Sequence, residues 1–229
     1  MLGFDTATAD IAVAVARGDR ILFEHSVPGE PGARPRHAAE LLGEVERAAD
    51  EVGGWERVDA IAVGVGPGSF TGLRIGIATA RGLAQGLGSR LAGIGSLDAL
   101  ARGIAEHPRA RGRPRLPVID AKRGQVFAAL HDASGTRSWG PVVATPAETG
   151  DRLRSATVSP LAAGDGAVRF RRDLEHAGVE VLAEDQAAHH LSPRYVCLLA
   201  EGVMPSAPDE IEPIYLRPPD AEIWRERDR

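Results

Sequence analysis

Two short stretches hold the residue types best suited to chemistry. One is Asp5-Thr6, a carboxylate and a hydroxyl that open a polar turn after an apolar start. The other is Gly66-Pro67-Gly68-Ser69-Phe70-Thr71-Gly72, three glycines and two hydroxyls between an apolar run and a small-residue segment. Turns of this kind can face phosphate, because free backbone N–H groups and the helix dipole favour anions at a helix start. The spacing fits neither common phosphate motif. No Gly-Lys-Ser/Thr follows Gly72, and Gly64-Val65-Gly66 is followed by Pro67-Gly68-Ser69, which does not complete G-x-G-x-x-G. A structural role for the glycines is therefore the expectation, with phosphate contact as the alternative. Asp5 and Thr6 are likewise expected to bond their own turn's backbone, with a vestigial phosphate turn as the other reading.

The remaining reactive groups form no recognisable catalytic set. His37 stands alone near a helix start. His189-His190 are adjacent, so they point apart on regular structure and lack a third ligand. Asp120 and Lys122 read as a turn with a local ion pair. Cys197 is the only cysteine and cannot form an intrachain disulfide.

The elements that position these groups can be read from periodicity. Leu2–Phe4, Ile11–Ala16 and Ile21–Val27 read as three strands, with Gly18-Asp19 as a hairpin turn. A Pro/Gly loop from Pro28 to Pro35 leads into a helix over Arg36–Val52. Its apolar positions Ala38, Leu41, Leu42, Val45 and Ala48 or Ala49 recur at helical spacing, and Gly53-Gly54 ends it. Ala60–Val65 is a buried strand. The glycine turn follows, and then a helix over Thr71–Leu87 capped by Ser69 or Thr71.

Arg90–Ile94 is a further strand, and Ser96 is expected to cap a helix over Leu97–His107, with Asp98 near its positive end. Arg109–Pro117 reads as a basic loop between lobes. Leu116–Asp120 and Gln125–His131 form two more strands. Beyond Arg137 the signals are weaker: a strand at Val142–Ala144, a helix at Pro146–Arg154, a strand at Leu161–Gly164 and a helix at Val168–Ala177. A strand at Val179–Leu182, a helix at Arg194–Gly202 and a strand-like piece at Ile211–Arg217 follow. The expected division is 1–108, 109–217 with its last helix packing back on the first lobe, and a flexible tail 218–229.

At 229 residues and 43% hydrophobic content, a globular core is within reach, packed largely by alanine, glycine, valine and leucine because aromatics are only 4%. No apolar run approaches the ~20 residues that span a bilayer, and no basic-then-apolar leader opens the sequence, so a cytoplasmic location without membrane contact is expected. The net charge of −5 argues against gripping a polyanion unaided. Lys122 is the only lysine among 27 basic residues, and the arginines are scattered among acids.

The segment GPGSFTGLRIG, Gly66 to Gly76, closely resembles the signature of the TsaB (YeaZ) family. Three further stretches agree in order and spacing: LGFDTAT (Leu2 to Thr8), VIDAKRGQVFAAL (Val118 to Leu130) and EPIYLR (Glu212 to Arg217). The resemblance covers most of the chain. It implies an α/β (α+β) architecture of the actin-like ATPase type, two lobes of mixed sheets flanked by helices with the second lobe reduced. Alternating strands and helices support that class independently. It also implies a role in threonylcarbamoylation of the tRNA adenosine beside the anticodon.

In that family the chain is a non-catalytic scaffold for TsaD, acting with the ATPase TsaE, homodimeric when alone and touching tRNA only through the complex. ATP or ADP and metal would then belong to the partner subunits, with none bound by this chain. The resemblance places the TsaD or homodimer interface on the helices Arg36–Val52 and Thr71–Leu87, with His37, Leu41, Val45, Thr71, Arg74, Ile75, Ala78, Thr79 and Gly82 as interface candidates. TsaD carries His-x-x-x-His on the corresponding first helix. Here Leu41 follows His37 by four, so the same-face ligand pair is missing and His37 is expected to cap or to face a partner. Two other readings remain: an ATP-dependent phosphotransferase, motivated by Asp5-Thr6 and the glycine turn, and a metal-dependent peptidase, which the missing second histidine disfavours.

Overall fold

The computed structural model describes residues 1–29 and 36–217. Most of the expected Pro/Gly loop (30–35) and the expected tail (218–229) lie outside these residues.

The chain runs twice through one order of elements. The first pass is β1 (Leu2–Asp5), β2 (Ile11–Arg17), β3 (Arg20–Val27), α1 (His37–Glu51), β4 (Ala60–Gly66), α2 (Phe70–Leu87), β5 (Arg90–Gly95) and α3 (Ser96–Ala105). The second is β6 (Arg115–Asp120), β7 (Val126–His131), β8 (Arg137–Ala144), α4 (Pro146–Ala156), β9 (Leu161–Ala163), α5 (Asp165–Arg169), α6 (Arg171–His176), β10 (Glu180–Val181) and α7 (Pro193–Ala200). The sheets have matching topologies, β3-β2-β1-β4-β5 and β8-β7-β6-β9-β10. In each, three antiparallel strands continue into two parallel ones. The second is the reduced copy: β9 and β10 hold only three and two residues.

Five layers result. On β2 the alternation sends Ile11, Val13 and Val15 to one face, where they meet Leu41 and Val45 of α1 and Ile77, Ala80 and Ala84 of α2. Ala14 and Ala16 point the other way, toward Cys197 of α7. α3 and α7 lie between the sheets. α3, from the first pass, packs on β6, and α7, from the second pass, packs on β1 and β2. Each half therefore lends a helix to the other. On β1, Gly3 makes room for α7, since a Cβ there would stand 2.6 Å from Cys197 Sγ. α4, α5 and α6 cover the outer face of the second sheet through Leu153, Ala167 and Leu174. No described helix is long and apolar enough to cross a membrane.

Several local expectations are corrected. Strand β8 begins at Arg137, five residues before the expected start at Val142; Gly140-Pro141 interrupts its apolar pattern. The charged helix expected over Val168–Ala177 is two short helices that meet at Phe170. The segment Ile211–Arg217 is no strand; it runs along the first lobe with Ile214 N–H donating to Val65 O at 2.8 Å. The expected Ser96 cap is absent, because the Ser96 hydroxyl is committed elsewhere.

Candidate functional site

The glycine turn is built around the β1–β2 turn. Gly66 adopts φ +94°, a conformation that side chains disfavour. Ser69 caps α2 by accepting from Gly72 N–H at 3.2 Å, while its own N–H donates to Ala7 O at 2.7 Å. A Cβ on Gly64 would overlap the Asp5 carboxylate, one on Gly68 would overlap Ala7, and one on Gly72 would overlap Thr6 O. On Gly76 it would overlap Thr6 Oγ1. These glycines, spaced by four, let strand β4 and helix α2 lie directly on residues 5–7.

Asp5 and Thr6 spend their polar groups within the chain. Thr6 Oγ1 donates to Gly72 O at 2.8 Å. Asp5 Oδ1 accepts from Ala7 N–H at 2.7 Å, and Oδ2 accepts from Ser96 Oγ at 2.7 Å. Ser96 Oγ in turn accepts from Gly66 N–H at 3.1 Å. Burial pushes the Asp5 carboxyl up to about 6, although its hydrogen bonds from Ser96 and the backbone pull the other way. Thr6 is fully buried beside it.

The expected interface residues divide between the two helices. On α1, His37, Leu41 and Val45 are all buried within the chain's own core, which corrects their expected exposure to a partner. Periodicity alone assigns them to an apolar face without saying which neighbour covers it; the first sheet does. His37 is no cap either. Its ring lies against the β1–β2 turn, with Nε2 at 3.2 Å from Asp10 O, and burial lowers its pKa. The outward residues of α1 include Leu42, 59% exposed, and Gly43.

On α2 the candidate residues lie on the outward face. Thr71, Arg74, Ala78 and Gly82 are exposed, and Ile75 and Thr79 are half-buried. Ile75 also packs against the core beneath. Among the described residues, no atom outside the helix's own backbone lies within 4 Å of where a Cβ would stand on Gly43, Gly82 or Gly86. These helical glycines therefore make room for no other element among the described residues.

The sequence reading missed Tyr215 as part of this face. Arg74 Nε donates to Tyr215 Oη at 3.0 Å, and its guanidinium lies 3.8 Å above the Phe70 ring. The Phe70 and Tyr215 rings are themselves 4.9 Å apart. Because Tyr215 lies 141 residues from Arg74, no local pattern links them.

The other candidates are structural. Lys122 Nζ and Arg169 Nη1 reach Asp120 Oδ2 at 2.9 and 2.8 Å, holding that carboxyl below its usual range despite partial burial. The His189 ring is buried and spans Gly164, Leu182 and Ala183 backbone groups. His190 points outward and meets Asp10 Oδ2 at 2.9 Å. Among the described residues no three His, Cys, Asp or Glu side chains gather to hold a metal.

Residues 28–188 match the family model described as TsaD, tRNA N6-adenosine threonylcarbamoyltransferase. The tRNA threonylcarbamoyladenosine biosynthesis protein TsaB of Escherichia coli is 32% identical over 169 residues, covering 70% of this chain and 71% of that protein. The structure of YeaZ from Pseudomonas aeruginosa superposes with a TM-score of 0.76 at 25% identity, covering 93% of this chain and 99% of that one. A ROK hexokinase from Thermus thermophilus, at 14% identity and a TM-score of 0.50 over 89% of this chain and 99% of its own, shares the fold alone. The doubled element order, the glycine turn seated on Asp5-Thr6 and these likenesses agree, and the chain belongs to the TsaB/YeaZ family with the actin-like fold.

Proposed function

We propose that this chain acts in tRNA threonylcarbamoyladenosine biosynthesis as a non-catalytic scaffold, docking a TsaD-type transferase through the outward face of α2 and the neighbouring α1. The observation that carries this reading is the set of helical glycines without an internal purpose. Glycine in a helix interior costs about 1 kcal/mol relative to alanine, yet Gly43, Gly82 and Gly86 have open space where a side chain would stand. A partner backbone approaching closely is a physical reason to keep them. The internal commitment of Asp5 and Thr6 supports a structural role for the β1–β2 turn. In this reading nucleotide and metal belong to the partner subunits, TsaE joins for turnover, and tRNA is met only through the complex. Without TsaD, two copies pair through the same face.

The test is reconstituted threonylcarbamoylation of tRNA with the organism's own TsaD and TsaE and its adenylate-forming enzyme. It is run with this chain, without it, and with Ala78→Glu or Gly82→Glu. Those exposed positions are preferable to Ile75, whose substitution would also disturb the core. Activity that needs the chain, and is lost together with TsaD co-elution in both variants, supports the scaffold. Full activity without the chain would overturn it and bring forward a phosphotransferase reading.

A further inference from the structure

A cleft of about 640 Å³ opens between the two lobes, on the sheet face that meets α3 and away from the α1–α2 surface. That volume lies within the range of small-molecule sites, roughly 300–1,000 Å³. Its apolar lining includes Ile94 of β5, Ala101 and Ala105 of α3, and Leu199 of α7. The opposite wall is cationic.

Three basic residues stand in one row across adjacent strands. Arg115 of β6 pairs in register with His131 of β7, and His131 pairs in register with Arg137 of β8. Residues opposite each other on neighbouring strands lie side by side, so two arginines flank His131 in this row. One carboxylate answers the row: Asp98 of α3 accepts from His131 Nε2 at 2.7 Å and from Arg137 Nη1 at 3.2 Å. Asp132 does not contribute its carboxylate, which accepts from Ser134 and Thr136 within its own loop. Arg102, also at the cleft, is paired with Glu106.

Arg115 is left without an anion. It is 9% exposed, and its two terminal nitrogens donate to Asp132 O and Ala133 O, each at 3.1 Å. It forms no ion pair among the described residues. Its Nε is buried without an acceptor, as is Nδ1 of its neighbour His131. Burying a cation without a counter-charge is costly, and buried polar atoms normally have partners. The uncompensated Arg115 guanidinium stands in the wall of this cavity, so a negative charge held in the cleft beside it would offset the cost of burying it.

We infer that this cleft binds a small organic anion, a carboxylate or phosphate ester, with its charged group against the Arg115–His131–Arg137 row and an apolar body over Ala101, Ala105 and Leu199. The inference goes beyond the scaffold reading and uses none of the docking face. Arginine suits such a ligand, because its planar donors match the oxygens of either anion.

The test is isothermal titration of the full chain with phenyl phosphate and with benzoate, and with benzyl alcohol as the uncharged control. The expected result is saturable single-site binding of at least one anion, at least tenfold tighter than the alcohol. Each arginine would hold the anion by charge-assisted hydrogen bonds, so Arg115→Gln and Arg137→Gln should each weaken binding about tenfold or more. Ala105→Trp should abolish it by filling the apolar end. Should Arg115→Gln fold poorly by circular dichroism, Arg137→Gln at a half-exposed site and Ala105→Trp decide the matter. The inference is overturned if neither anion binds saturably at millimolar concentration, if the alcohol binds as well, or if binding survives in Arg137→Gln and Ala105→Trp. A preference between the two anions identifies whether the site takes carboxylates or phosphate esters.

Discussion

The Asp5 carboxylate accepts a 2.7 Å hydrogen bond from the Ser96 hydroxyl, 91 residues further along the chain, in a fully buried position. Through Ser96 the same contact reaches Gly66 N–H. The ends of β1 and β4 and the start of α3 are thus tied at one point.

The Asp5 carboxyl titrates at about 6 in the folded chain against 3.8 as its ordinary value, because burial disfavours the charge. Between these values the folded state holds the extra proton, so this group's contribution to stability falls as pH rises through the window and is level above it. At about 1.4 kcal/mol per pKa unit, the full effect is on the order of 3 kcal/mol. Urea unfolding of the wild type and Asp5→Asn at intervals from acid to neutral pH isolates it. The difference in stability between the two should move against the wild type on raising the pH. A difference that stays constant with pH would show that Asp5 is not titrating there.

The glycines make a second, sharper contrast. Gly72→Ala would drive a methyl into the Thr6 backbone carbonyl, which cannot swing aside, and crowd the His37 ring at 3.1 Å. We expect a loss of about 3 kcal/mol or more. Gly82→Ala and Gly86→Ala place a methyl in open space, so each should stabilise the isolated chain by ~0.5–1 kcal/mol through helix propensity. If the α2 face docks a partner closely, the same two substitutions weaken that association while raising the melting temperature. Thermal melts alongside co-elution with TsaD measure both effects; improved stability with unimpaired binding would remove the packing argument for these glycines.

What could be read from the sequence followed the range of its signals. Period-two and helical spacing gave the strands through Val65 and the helices α1 and α2 within a residue or two, and Ser69 was legible as a cap. The Thr145-x-x-Glu148 capping box that starts α4 was there to be read, with Glu148 N–H donating to Thr145 Oγ1 at 3.2 Å. What failed were relations between distant segments. Periodicity shows that Leu41 and Val45 share a face but cannot say that a sheet covers it. Likewise, nothing local announces that Ser96 abandons its helix for Asp5, or that Tyr215 returns to Arg74.

Cys197 should be inert in the native chain. It is fully buried, its Sγ lies 3.7 Å from Ala14 O, and burial pushes its thiol up to about 12, so almost no thiolate forms near neutrality. A thiol reagent at mildly alkaline pH should label it only as fast as the chain opens, and at once in denaturant. Rapid stoichiometric labelling without unfolding would mean that α7 leaves β1 and β2 readily.

If the α2 face docks TsaD as proposed, Arg74 should dominate that binding without dominating stability. Its guanidinium is stacked 3.8 Å above Phe70 and fixed through Nε by Tyr215, and among the described residues its outer nitrogens have no partner, which suits them to a carboxylate or phosphate. A side chain already ordered loses less entropy on binding, and arginine is enriched among residues that carry interface energy. An exposed cation–π contact contributes only ~0.5–1 kcal/mol to folding. Arg74→Ala should therefore change the unfolding free energy by no more than about 1 kcal/mol while weakening TsaD association by about 2 kcal/mol. Arg74→Lys should not restore it, since an ammonium offers neither the planar fork nor the stack. Tyr215→Phe should give a smaller loss by freeing the Arg74 side chain. Titration of each variant against TsaD gives the three values, and a lysine variant binding like wild type would reduce Arg74 to a point charge at the rim.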